Sequence, residues 1–206
     1  TRRIAAERGL DLARVVESGY PQPYHVADLD TLAAMAAPEA TATAAAVPAM
    51  ASHRIEACVP QAGFDSFVAW LADTGDATPP ATLRAALATG ALRAATSGNG
   101  PIALRLERPA AAAQRFEDAD RVAPSPSPEQ AGDGPPPALI LRDLTGSRLT
   151  AMHLGAETAP VLTVARIGAE TRVTLDFAPD QMDAETATSL VDGFAARLDD
   201  PLRQLF

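Results

Sequence analysis

The hydrophobic pattern changes character along the chain. At the start, "TRRIAAERGLDLARVV" sets Ile4, Leu10, Leu12 and Val15 on a common side, and Gly9 stops one helix before a second turn at Asp11. After the loop "ESGYPQPYHV", the stretch "HVADLDTLAAMAA" reads as another helix, with Asp28 near its start and Leu29, Leu32 and Met35 on one face. Residues 1–32 are therefore expected to form a small two-helix module with a thin core. Residues 33–51 are dominated by Ala, Pro and Thr and read as a semi-extended linker; the alternative is a frayed extension of the preceding helix.

From residue 52 the periods alternate between 2 and 3.6. "HRIEACVP" alternates as a strand does. "FDSFVAWLADTG" predicts a helix with Phe64, Phe67, Val68 and Leu71 inward and Gly75 at its end. "TPPATLRAALATGALRAAT" predicts a second helix, capped by Thr78, with Pro79 and Pro80 in its first turn and a stripe of Leu83, Ala86, Leu87 and Leu92. Gly90 inside it costs about 1 kcal/mol relative to Ala. "SGNGPIALRLER" turns at Asn99-Gly100 into a strand, and residues 122–137, "VAPSPSPEQAGDGPPP", read as a mobile surface loop. Four strands are expected next, at 138–144, 147–154, 159–168 and 171–177, the last two joined across "GAE" as a hairpin. A terminal helix over 183–198 carries Ala187, Leu190, Val191, Phe194 and Leu198 on one face and stops at Asp199, Asp200 and Pro201. The order predicts an α/β (α+β) domain over 52–206 with a mixed or largely antiparallel sheet.

Composition narrows the chemistry. The 206 residues are 47% hydrophobic but only 4% aromatic, so the core must come from Ala, Leu, Val and Ile. A net charge of −9 argues against non-specific binding to nucleic acid or an anionic membrane surface. No apolar run reaches the roughly 18 residues of a membrane span. No signal peptide is evident, and a cytoplasmic protein is expected. The single Cys58 allows no internal disulfide and is expected in the core. All 17 basic residues are arginine. Without lysine, no Schiff base, no phosphate-loop lysine and no lipoyl or biotin attachment is available. His25, His53 and His153 are far apart in sequence, and Cys58 has no cysteine partner, so no metal site is expected.

Two sets of motifs carry a resemblance. "RRIAAERGLDLARV" and "YHVADL" resemble the peripheral subunit-binding domain of 2-oxo acid dehydrogenase complexes: Arg2 and Arg3 fall in an Arg-rich first turn, Asp11-Leu12 opens the middle turn, and Asp28 caps the second helix. The resemblance implies that Arg2, Arg3, Arg8 and Arg14 grip a partner, either dihydrolipoyl dehydrogenase or a 2-oxo acid decarboxylase, through bidentate pairs with its carboxylates. The family's loop is glycine-rich and ends in a basic residue; here only Gly19 survives, and Pro23 stands at the basic position. Farther on, "PALILRDLTG", "APVLTVARIG", "RVTLDF" and "SLVDGFAARLDDP" resemble, in order, segments of the dihydrolipoamide acyltransferase core, which has the chloramphenicol-acetyltransferase-like fold. What this implies is a shortened domain that docks onto the acyltransferase core of the complex as a partner, or self-associates as a homotrimer.

The family's catalytic loop reads Asp-His-Arg, two residues, Asp-Gly, and its histidine is the general base on a thiol. Proton removal is needed because the thiolate is the competent nucleophile. The corresponding run here is Ala178, Pro179, Asp180, Gln181, Met182, Asp183, Ala184. Proline replaces the base, an acid replaces the arginine, and only Asp183 matches; its simplest role is to cap the helix that follows. The expectation is a non-catalytic, adaptor-like acyltransferase subunit without a cofactor. Its rivals are a divergent acyltransferase that uses coenzyme A with a base from elsewhere, such as His153, and a binding domain for an acyl or coenzyme ligand.

Overall fold

The computed structural model describes residues 52–121, 127–128, 135–155 and 157–202. The two-helix module over 1–32 and the linker over 33–51, with Arg2, Arg3, Arg8, Arg14 and His25, lie outside the described residues, as does most of the 122–137 segment.

The sheet begins with β1 (His53–Pro60), an outer strand on which alternate residues are half-buried and exposed. Helices α1 (Ala62–Asp73) and α2 (Pro80–Thr96) follow, then β2 (Ala103–Glu107), β3 (Gln114–Glu117) and the two-residue β4 (Ser127–Pro128). The chain continues through β5 (Leu139–Asp143), β6 (Val161–Ile167), β7 (Glu170–Phe177) and α3 (Ala184–Asp199). The strand order is β1-β7-β6-β5-β2-β3-β4. The central strand β5 is parallel to both neighbours, and the other pairs are antiparallel. Gly168, at φ 62°, makes the two-residue turn between β6 and β7 that the "GAE" spacing predicts.

One core forms between the helices and one sheet face. Leu104 and Leu106 of β2, Leu139 and Leu141 of β5, Leu162 and Val164 of β6, and Val173 and Leu175 of β7 meet Leu190, Phe194 and Leu198 of α3. Each fully buried Leu, Val or Phe contributes about 1.5–3 kcal/mol, which explains why the apolar stripe of α3 is legible in the sequence. Helix α2 packs a face of Ala81, Ala85, Ala88, Ala91 and Leu92. These small side chains bring it close to α3 and displace the predicted stripe: Leu83 and Ala86 are only half-buried. Gly63 permits the closest approach, because a Cβ there would stand 1.8 Å from the Asp199 carbonyl oxygen at the end of α3.

Four expectations need correction. Residues 147–154 are not a strand; the chain there is irregular and lies over the other sheet face, where Arg142 binds the Met152 carbonyl. β3 has no counterpart in the predicted elements. Cys58 is exposed rather than in the core, because its position on β1 shares a side with Arg54 and Glu56. Thr78 does not cap α2: Pro79 holds the N-cap position, and the Thr78 amide and hydroxyl both donate to Asp76.

Candidate functional site

The loop between β7 and α3 is the place to look for the chemistry that the sequence motifs imply. Its backbone closes a tight turn, in which the Gln181 and Met182 amides donate to the Ala178 carbonyl at 2.9 and 3.3 Å. The Gln181 side chain spans the turn, accepting from the Ala178 amide at 2.9 Å and donating to the Glu157 carbonyl at 2.7 Å. Pro179 and Asp180 are exposed at the tip, and Met182 packs against the core. Asp183 caps α3, accepting from the Thr186 amide and hydroxyl at 2.8 Å each. These bonds, the backbone one foremost, hold its carboxyl below the usual carboxylate range. A carboxylate so stabilised is a poorer base toward a thiol of pKa near 8.5.

The loop thus contains no imidazole, and its Gln181 and Asp183 side chains are committed to local structure. The two described histidines lie elsewhere. His53 packs tilted against Phe177, at 5.4 Å between ring centroids and 46° between planes, and His153 is exposed in the 147–157 segment. Neither is in the turn. Among the described residues no cluster of His, Cys, Asp and Glu is arranged to hold a metal ion.

Charge is concentrated in places that sequence reasoning did not mark. Arg142 is completely buried on the sheet face away from the helices. It binds Glu107 at 2.7 Å and Glu157 at 3.0 Å and so ties the irregular segment to the sheet. Arg84 of α2 pairs with Asp143 at the end of β5 at 2.9 Å and lies over the Phe64 ring at 4.4 Å. Asp143 also accepts from the Thr145 amide and hydroxyl, at 2.9 and 2.6 Å. This pair borders a hollow of about 320 Å³ at the start of α2, beside Arg108 and Ser147. A third group joins the end of α2 to the β3 exit: Arg93 binds Asp118 at 2.5 Å, Asp120 at 2.7 Å and the Gly100 carbonyl at 2.6 Å. The Ile102 amide, with help from Arg93, holds the Asp118 carboxyl below its ordinary range.

No family model and no curated protein matches the sequence. Solved structures do match. The dihydrolipoamide acetyltransferase of Azotobacter vinelandii superposes with a TM-score of 0.56 at 11% identity, covering 76% of this chain and 85% of that one. A truncated catalytic core of the 2-oxoacid dehydrogenase multienzyme complex from Thermoplasma acidophilum gives 0.57 at 11% identity, covering 89% and 99%. A chloramphenicol acetyltransferase gives 0.51 at 12%, covering 71% and 88%. The fold is that of the acyltransferase cores. At these identities the likeness speaks for architecture alone.

Proposed function

We propose that the chain is a non-catalytic, acyltransferase-like structural subunit of a 2-oxo acid dehydrogenase type complex, in which residues 1–32 tether a partner enzyme and the folded domain joins an oligomeric core, as a homotrimer. One observation carries the reading: the turn after β7, on a fold shared with acetyltransferase cores, ends in an exposed proline and two structurally committed side chains where thiol chemistry needs a base. Loss of a general base lowers a rate about 10²–10⁴-fold. The apolar pattern that builds β7 and α3 is intact beside it. The partner is dihydrolipoyl dehydrogenase or a 2-oxo acid decarboxylase, gripped by Arg2, Arg3, Arg8 and Arg14. No cofactor is required for this role. Co-sedimentation of the full chain with each purified enzyme tests it: a complex weakened by added salt and by Arg2→Ala/Arg3→Ala supports tethering. A chain that binds neither enzyme refutes it.

The rival is a dihydrolipoamide acyltransferase that draws coenzyme A and uses His153. Its motivation is that His153 borders a cavity on the open sheet face. Acetyl transfer abolished by His153→Ala would favour it.

A further inference from the structure

The sheet face turned away from the helices carries a hollow that neither the tethering role nor the β7–α3 turn uses. Its volume is about 180 Å³, with Ala151, Met152 and His153 on one side. The sheet supplies the floor: Arg54 and Glu56 of β1, Thr163 of β6, and Arg172, Thr174 and Asp176 of β7. Register explains why they converge. Thr174 stands opposite both Glu56 and Thr163, Asp176 stands opposite Arg54, and Arg172 is one diagonal step from Thr163. Diagonal neighbours on one face lie within reach of a long side chain.

Two of these groups are unsatisfied. Thr163 is only 4% exposed, and its Oγ1 is buried with no hydrogen-bond partner among the described residues. The Nε of Arg172 is likewise buried without a partner. Buried polar groups are ordinarily bonded, and leaving one without a partner is unfavourable. The hollow far exceeds the ~10–15 Å³ that a single water needs. The neighbouring Arg54 is already engaged by Asp176 at 2.8 Å, which leaves Arg172 as the cation that faces an incoming ligand.

We propose that this hollow binds a small monocarboxylate. The Arg172 guanidinium grips its two oxygens and the Thr163 hydroxyl donates to one of them. The planar guanidinium matches a planar carboxylate in a two-bond fork. The same cavity is poorly suited to a dianion: Arg54 and Asp176 cancel, and Glu56 opposes the charge of Arg172, so the lining is neutral overall when His153 is neutral. The site is independent of the tethering role, since it uses neither the N-terminal arginines nor the β7–α3 turn.

The test is isothermal titration of the full chain with sodium propionate and, separately, with sodium sulfate, at matched ionic strength. The expected result is saturable propionate binding, at least tenfold tighter than sulfate, that weakens at least tenfold in both Arg172→Gln and Thr163→Val. Circular dichroism establishes that each variant is folded. Because Thr163→Val removes an unsatisfied hydroxyl, the ligand-free variant keeps or gains thermal stability, so at least one binding-defective variant remains measurable. Absence of saturable propionate binding overturns the proposal. So does sulfate binding as tight as propionate, or unchanged propionate affinity in either folded variant.

Discussion

Asp143→Ala is the sharpest single perturbation of the folded domain. It removes the carboxylate that receives Arg84 at 2.9 Å, where the two side chains are only 10% and 3% exposed. The guanidinium then keeps the Phe64 ring face at 4.4 Å but loses its counter-charge. Breaking a buried pair by deleting one partner costs about 3–5 kcal/mol, and a desolvated cation–π contact holds back roughly 2 of that order at most. The expected loss is therefore about 3 kcal/mol. At the roughly 2–4 °C per kcal/mol usual for 150–250 residues, the melting temperature falls by about 6–12 °C. Arg84→Leu strands Asp143 with only the two Thr145 donors and costs a similar amount. The double variant Arg84→Leu/Asp143→Ala leaves no uncompensated charge and is less destabilised than the sum of the single changes. Urea unfolding followed by circular dichroism measures all four corners of the cycle. Single variants within about 0.5 kcal/mol of the parent, the range of ordinary surface changes, would refute the view that this pair joins α2 to the sheet. A strictly additive double variant would refute it equally.

Other predictions follow from close contacts and from charge. Gly63→Ala drives a methyl into the Asp199 carbonyl, which as backbone cannot swing away, and lowers stability by about 3 kcal/mol, the upper end of overpacking costs; thermal melting reads it. Gly90→Ala does the opposite, because a Cβ there meets only ordinary contacts at 3.6 and 3.8 Å within a helix, and it raises stability by about 1 kcal/mol in the same assay. Asp76, Asp118 and Asp183 all have carboxyl pKa values depressed by hydrogen bonds in the folded state. A depressed folded pKa stabilises above the unfolded value, near 3.9, and that contribution is lost as pH falls through the folded value. Stability is therefore level above about pH 5 and declines below about pH 4, and acid titration of Asp118→Asn shows a smaller decline than the parent.

What the sequence discloses and what it hides divides along physical lines. β7 and α3 are plain because "RVTLDF" alternates and the stripe from Ala187 to Leu198 keeps helical spacing against one core. The Asp183 cap is plain for the same reason: an acidic residue immediately precedes that stripe, with Thr186 three positions on. β3 is hidden because "QRFE" offers a single apolar residue, Phe116; pairing with β2 makes it a strand. "SRLTAMHL" misleads in the opposite sense, since it alternates but finds no strand to pair with, and the buried Arg142 draws its backbone across the sheet instead. Cys58 could have been placed correctly from its own strand, where Arg54 and Glu56 at the same parity mark the open side. Buried arginines leave no local trace. Arg84 and Arg142 read as surface charge until the partners Asp143, Glu107 and Glu157 arrive from remote segments. The hollow over Thr163 and Arg172 is equally illegible, because it depends on register between strands and on a segment that crosses above them.

The account turns on whether the domain can take a proton from a thiol. The most direct measurement is the rate of acetyl transfer from acetyl coenzyme A to dihydrolipoamide, with the full chain at high concentration and the enzyme-free reaction alongside. The account predicts a rate equal to that of the enzyme-free reaction. Turnover that scales with protein concentration and disappears in His153→Ala would contradict it.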